Sequence, residues 1–349
     1  MATSSAPKRE FASDNYAGIC PEAWNALQEA NLGHAPSYGE DIWTQKASDL
    51  IRQVLEKDCE VFFVFNGTAA NSLALASLCD SFHSVICHQT SHVETDECGA
   101  PGFFSHGTTL TPVPGLMGKL QPESISEIVA RRNDIHYPRP RVVTLTQSTE
   151  LGTVYSVQEL QKLGECTRKL NLQLHMDGAR FANAVAALDV APRQTSWEAG
   201  VTALSFGGTK SGMAYGEAVV FFDKQHACEF DYRCKQAGQL SSKMRFIAAQ
   251  WVGLLQDGAW LRHARHANDM AAHLESHLRK IPNLNILYQR QANAVFVELT
   301  PVIQKAMHGR GWHFYNFASP TGVRFMCSWD TQIADIEALA KDLREVLLL

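Results

Sequence analysis

Seven short apolar or β-branched runs recur between about residues 60 and 222, each parted from the next by enough chain for a helix, and this rhythm constrains the fold most. The runs are Glu60 to Phe65, Ser84 to His88, Thr108 to Val113, Arg141 to Thr146, Leu172 to Met176, Val201 to Phe206 and Glu217 to Phe222. Several are apolar throughout rather than alternating, as in Val61, Phe62, Phe63, Val64 and Phe65, which burial on both faces demands. The pattern predicts an α/β unit: a mainly parallel, seven-stranded sheet with helices on both faces.

After about Gln250 the pattern becomes α+β. A helical stretch from Trp251 to Arg279 carries Leu254, Leu255, Leu261, Ala264, Met270, Ala271, Leu274 and Leu278 on a mostly apolar face. Strand candidates follow at Asn283 to Tyr288, Asn293 to Leu299 and Val323 to Trp329, with a helix near Val302 to His308 and a closing helix from Ile333 to Leu348. The expected division is an N-terminal arm and first helix over 1–28, a large α/β domain over 29–248 and a small α+β domain over 249–349. A crevice between the two domains would enclose a ligand.

Composition fits two domains: 349 residues, 45% hydrophobic and 19% charged, can bury a large core. Counting 31 Lys+Arg against 36 Asp+Glu gives −5, which offers no electrostatic footprint for nucleic acid or an anionic membrane. The nine cysteines are scattered and form no C-x-x-C pair, as reduced cytosolic thiols do. No stretch of about 18 uncharged apolar residues occurs, so a soluble cytoplasmic protein is expected.

Five segments carry residues suited to chemistry. Asn66-Gly67-Thr68 follows an apolar strand and opens a helical run, so free N–H groups at the helix start would attract phosphate; the bland reading is an ordinary turn capped by Thr68. Asp177 sits just past a buried strand with Arg180 three residues on, either facing a ligand at the sheet edge or forming a structural ion pair. Lys210 ends the strand-and-glycine run from Leu204 and is a Schiff-base candidate if desolvated, a plain loop lysine otherwise. His92 and Asp96, four apart, would share one side of a short helix; His88, Glu94 and Cys98 add metal-ligand types, but no zinc spacing is met. Arg324, flanked by apolar residues in a strand, suits bidentate carboxylate binding. His263, His266, His273 and His277 read as a solvated helix face.

Asp177, Lys210, the helix start at Gly67 and Thr68, and His92 together suit pyridoxal 5′-phosphate: an amine for its aldehyde, an anion for its pyridine nitrogen, donors for its phosphate and a ring to stack. At this point the chain resembles the low-specificity L-threonine aldolases of the aspartate-aminotransferase-like fold type I, in the bacterial branch that includes phenylserine aldolase. The resemblance runs from Phe11-Ala12-Ser13-Asp14-Asn15 to Arg324-Phe325-Met326-Cys327-Ser328-Trp329, and is most specific at His175 to Arg180 and Ser205 to Lys210.

The resemblance implies that Lys210 forms the Schiff base, that Asp177 pairs with the pyridinium, and that Gly67, Thr68 and Thr209 bind phosphate. It implies that Arg180 meets the cofactor's phenolic oxygen or the substrate carboxylate, which Ser13 and Arg324 also hold. It implies a homo-oligomer, dimer-based and tetrameric, in which Arg233 or Lys235 reaches a neighbour's cofactor. The reaction implied is cleavage of L-threonine, L-allo-threonine or related β-hydroxy-α-amino acids such as phenylserine to glycine and an aldehyde, and its reverse. Part of the family has a Thr-His-Asn-Gly run, where this chain has Thr149-Glu150-Leu151-Gly152. The role of that histidine therefore passes to His92, Asp96, Glu150 or a water, with His92 as the favoured base and Asp96 orienting the hydroxyl. A β-eliminating lyase or aminotransferase would use the same parts, whereas a hydrolase built on His92, Glu94 and Cys98 would need a metal.

Overall fold

All seven apolar runs form strands of one sheet. The computed structural model describes residues 9–132, 134–317 and 319–347. Its strands are β1 (Glu60–Val64), β2 (His83–His88), β3 (Thr109–Val113), β4 (Arg139–Thr146), β5 (Gln173–Gly178), β6 (Ala203–Gly207) and β7 (Glu217–Phe221), in the order β1-β7-β6-β5-β4-β2-β3. Strand β7 is antiparallel to both β1 and β6, and every other pairing is parallel. Strands β1 to β6 therefore end on the same edge, the edge where ligands bind in such sheets.

Both faces are buried, which is why the strands lack alternation. On β2 and β4, Val85 and Val142 pack into one cluster with the helix Gly67–Leu78, while their neighbours Ile86 and Val143 pack into the opposite cluster with Trp251 and Leu255. The helix Gly67–Leu78 buries nine of its residues, including Asn71 and Ser72, so two polar side chains sit in an otherwise apolar layer.

A second sheet of three antiparallel strands, β8 (Ala294–Glu298), β9 (Tyr315–Asn316) and β10 (Gly322–Met326), has the order β8-β10-β9. The helices Ala259–Leu278 and Ile333–Leu347 cover it through Leu274, Leu278, Leu339 and Leu343. Phe11 joins this cluster, and its carbonyl accepts from the Met326 N–H at 2.8 Å. The N-terminal segment thus runs back beside β10 and sets Ser13 and Asp14 near Arg324.

Three expectations need correction. The stretch from Trp251 is two helices, Arg245–Gln256 and Ala259–Leu278, broken at Gly258, whose φ of 66° is left-handed. Asn283 to Tyr288 is no strand; it pairs only through the bridge Ile286↔Val297. His263 and His266 do not form a solvated face: His263 Nε2 lies 2.9 Å from Glu22 Oε2, and His266 Nε2 donates to the Thr331 carbonyl. Leu348, the expected end of the last helix, lies outside the described residues. Among the described residues no helix is long and apolar enough to cross a membrane.

Candidate active site

The loops after the carboxyl ends of β1, β2, β4, β5 and β6 deliver Gly67, His92, Glu150, Arg180 and Lys210 to one edge, and Asp177 sits at the end of β5 itself. After β1, Asn66 rather than Thr68 caps the helix, its side chain accepting from the Ala69 N–H at 2.9 Å. This leaves the N–H groups of Gly67 and Thr68 as the free donors of the first turn. Nothing would stand within 4 Å of a Cβ on Gly67, so the approach to these donors is open.

Asp177 is buried, its Oδ1 accepting from the Ala179 N–H at 3.0 Å and its Oδ2 from Asn71 Nδ2 at 3.0 Å. Asn71 Nδ2 also donates to Glu97 Oε1 at 2.8 Å, and the same oxygen lies 2.8 Å from His92 Nδ1. Asp177, Asn71, Glu97 and His92 are therefore one hydrogen-bonded chain, fixing the His92 ring relative to the Asp177 carboxylate. The Glu97 bond raises the His92 pKa against the opposing effect of burial, and burial raises that of Glu97.

The expected pairing of His92 with Asp96 needs correction. The helix is only His92–Thr95, Asp96 lies past its end, and its exposed carboxylate accepts from the Thr95 hydroxyl. Its field still reaches Arg324. The side chains of His88, Glu94 and Cys98 do not join His92 in a metal-ligand group among the described residues; His88 instead bonds Thr90 and the Gly115 carbonyl.

Lys210 lies in the turn Thr209–Ser211 after β6 and is half-buried. A Cβ on Gly207 would overlap the Ala179 backbone, so glycine there lets this turn lie against the Asp177 segment. Burial, then the nearby Arg180 charge, lowers the Lys210 pKa, and its amine has no hydrogen-bond or ion-pair partner among the described residues. Both effects favour the free amine, the nucleophilic form. Beneath the turn, buried Glu217 accepts from the Gly208 N–H at 2.6 Å and bonds the Thr209 side chain; burial pushes its pKa up to about 7. Thr209 Oγ1 also accepts from the Gly216 N–H at 3.2 Å, so this hydroxyl braces the turn.

Arg180 forms a two-pronged ion pair with Asp14, Nε to Oδ2 at 2.7 Å and Nη2 to Oδ1 at 2.9 Å, with both side chains buried. Of the two readings of Arg180, the structural pair exists, but with Asp14 rather than Asp177, and Nη1 remains for a ligand. Burial alone would raise the Asp14 pKa, yet the Arg180 charge and bonds override it and bring it down to about 2. Arg324, on β10, has a buried Nε with no hydrogen-bond partner, and burial and Arg180 lower its pKa. Ser13 Oγ accepts from the Asn15 N–H, leaving its proton to donate. Glu150 is close enough to act on His92, Arg180, Lys210 and Arg324 together. Arg233 lies on the helix Phe230–Gln236, and no contact among the described residues joins it to this cluster.

Sequence reasoning missed Asp14, Asn71, Glu97 and Glu217. The available signals were a carboxylate inside the Ser13 segment, an asparagine in an apolar helix and a glutamate opening an apolar strand. The donors present fit pyridoxal phosphate: an unpartnered amine, a buried carboxylate, an open helix start and an orphaned buried guanidinium.

Residues 10–301 match a family described as beta-eliminating lyase. The chain is 58% identical to the low specificity L-threonine aldolase of Pseudomonas aeruginosa over 97% of this chain and 98% of that one. It is 57% identical to the same-named enzyme of a Pseudomonas species, with the same coverage. The solved structure of Leishmania major threonine aldolase superposes with a TM-score of 0.90 at 25% identity, covering 97% of this chain and 99% of that chain.

Proposed function

The chain belongs to the low-specificity L-threonine aldolases within the beta-eliminating lyase family, and from that premise we propose how its own residues carry the reaction. It is a pyridoxal-phosphate-dependent lyase that cleaves L-threonine and L-allo-threonine to glycine and acetaldehyde and runs the reverse addition. The observation carrying this reading is the convergence on one sheet edge of the unpartnered Lys210 amine, the buried Asp177 carboxylate and the open Gly67 helix start.

When bound, pyridoxal phosphate supplies an electron-poor ring that accepts the electron pair of the Cα–Cβ bond. Lys210 would hold it through its amine, Asp177 would keep its ring nitrogen protonated, and the Gly67 and Thr68 N–H groups would take the phosphate. His92 would stack on the ring, held in orientation by Glu97. For the substrate, Arg324 offers its open fork, Arg180 its remaining Nη1 and Ser13 its hydroxyl, and together they would clamp the carboxylate and fix rotation about Cα. His92, with its pKa raised by Glu97, is the base for the β-hydroxyl proton, and Asp96 or Glu150 orients that hydroxyl.

The same reading extends to related β-hydroxy-α-amino acids with larger β-substituents, such as phenylserine. The protein would work in the cytoplasm as a dimer-based homotetramer, as the family resemblance implies; the exposed apolar side chains of Trp24, Leu32, Ile42 and Tyr232 are surfaces that association would cover. Arg233 would then act on a neighbour's site. The deciding experiment measures acetaldehyde from L-threonine and D-threonine, with Lys210→Ala in parallel. Release from the L isomer alone, abolished by the substitution, is expected; aldehyde from the Lys210→Ala protein at the original rate would overturn the assignment of the lysine.

A further inference from the structure

We propose that Cys20, Glu22 and His263 bind one divalent ion of the Zn2+ class, outside the cofactor site and fastened to the turn that carries Lys210. The three ligand atoms, one sulfur, one carboxylate oxygen and one imidazole nitrogen, all lie within 4.8 Å of one another. Glu22 Oε2 and His263 Nε2 are 2.9 Å apart. Three atoms so spaced lie within about 2.8 Å of a common point, against zinc bond lengths of roughly 2.0–2.3 Å, so shifts of under an ångström close the site.

The donor set selects the metal. Sulfur and imidazole suit zinc and its surrogate cobalt, whereas magnesium and calcium want oxygen alone. Three protein ligands leave a fourth position for water, reached from the half-exposed Glu22 side. A His263–Glu22 ion pair needs no sulfur, yet a fully buried thiol completes the triangle. Arg262 engages Glu22 through Oε1 at 3.3 Å, leaving Oε2 to ligate.

The placement gives the ion something to fasten. Cys20 precedes the helix Pro21–Ala30, and His263 lies on the helix Ala259–Leu278. The Cys20 N–H donates to the Gly212 carbonyl at 2.8 Å, and Gly212 closes the Lys210 turn. A Cβ on Gly212 would stand 2.9 Å from the Cys20 Cβ, so turn and cysteine are in direct contact. His263 and Lys210 also line one small cavity with Asn293 and Trp329. A bound ion would thus tie the start of the helix Pro21–Ala30, which already rests on the lysine turn, to the helix Ala259–Leu278.

The test is zinc uptake by the full chain loaded with pyridoxal phosphate, measured by equilibrium dialysis with elemental analysis and by X-ray absorption of the zinc-loaded protein. One zinc per chain with one sulfur and one imidazole in its shell is expected, together with a higher Tm. Cys20→Ser and His263→Gln should each weaken binding by at least about 100-fold, since even groups behind metal ligands are worth 10–100-fold. Removing the exposed thiol in Cys98→Ser should change nothing. No stoichiometric uptake, a shell without sulfur, or equal uptake by the Cys20→Ser and His263→Gln proteins would each overturn the site. If either variant fails to fold, the wild-type sulfur and imidazole count decides alone.

Discussion

Replacing Asp14 tests whether the buried pair with Arg180 organises the substrate side of the site. Both side chains are nearly inaccessible, 1% exposed for Asp14 and 7% for Arg180, so solvent screens the pair little. The Asp14 pKa falls from an ordinary 3.8 to about 2. A difference of that size makes the charged carboxylate worth about 2 kcal/mol of folded-state stability, the order of what Asp14→Asn should cost. Asp14→Ala leaves a buried guanidinium without a counter-charge, a loss of about 3–5 kcal/mol. With an unfolding entropy near 0.7 kcal/mol/K for 349 residues, the alanine variant should melt about 4–7 °C lower. Because the folded pKa is depressed, the contribution is complete above the unfolded pKa and is lost as pH falls toward the folded one. The Tm gap between wild type and Asp14→Asn should thus be constant from about pH 7 to pH 5 and fall to about half at pH 3. Calorimetry across that range is the assay. A gap under about 1 °C at neutral pH, or one unchanged at pH 3, would refute the reasoning.

The remaining predictions concern the other buried ionic groups. Glu217 has its pKa raised from 4.5 to about 7, so it is charged when unfolded but neutral when folded between those values, and its burial costs up to about 3 kcal/mol above the upper one. Glu217→Gln should raise Tm by about 4 °C near pH 8, with the gain gone by about pH 4, and a gain that persists in acid would count against this account. In Glu97→Gln the His92 pKa should fall, moving the acidic limb of kcat/KM to lower pH while kcat drops by about 10-fold; an unmoved limb would separate Glu97 from the base. Arg324→Lys should raise the KM for L-threonine by about 100-fold with a smaller change in kcat, since an ammonium cannot reproduce the fork. Asp96→Ala should alter the ratio of threo to erythro products in the synthetic direction, and an unchanged ratio with normal activity would remove Asp96 from the site.

What the sequence disclosed followed from what burial writes into it. Strands covered on both faces need unbroken apolar runs, so β1 to β7 were legible to within about two residues at most ends. The break at Gly258 was not, because one left-handed residue between two apolar helical stretches leaves the hydrophobic period almost intact. Residues 283–288 carry the spacing of a strand, but only Ile286 finds a partner. In the site, Asp177, Lys210 and Gly67 were legible because each closes or follows a strand. Their supports were hidden: Asp14 meets Arg180 from 166 residues away, and Asn71 meets Asp177 from 106 away. Such pairs exist only once the sheet order is set.

The same pairs give a physical reason for the proposed anion site at Arg324. Arg180 and Arg324 lie close enough for each cation to oppose the other. Asp14 cannot neutralise the two, because both its oxygens are held by Arg180 and one also accepts from Asn293 Nδ2 at 3.2 Å. Asp177 faces Asn71 and the Ala179 N–H instead. Arg324 therefore bears two costs, the field of a neighbouring guanidinium, which Asp14, Glu150 and Asp96 offset only in part, and a buried Nε with no acceptor among the described residues. A carboxylate bound across its fork relieves both, and a neutral ligand of the same shape relieves neither. On the proposed reading, recognition of an amino acid rather than an amine would follow from the Asp14 pairing: by fixing Arg180, it leaves Arg324 as the cation that a substrate carboxylate would complete.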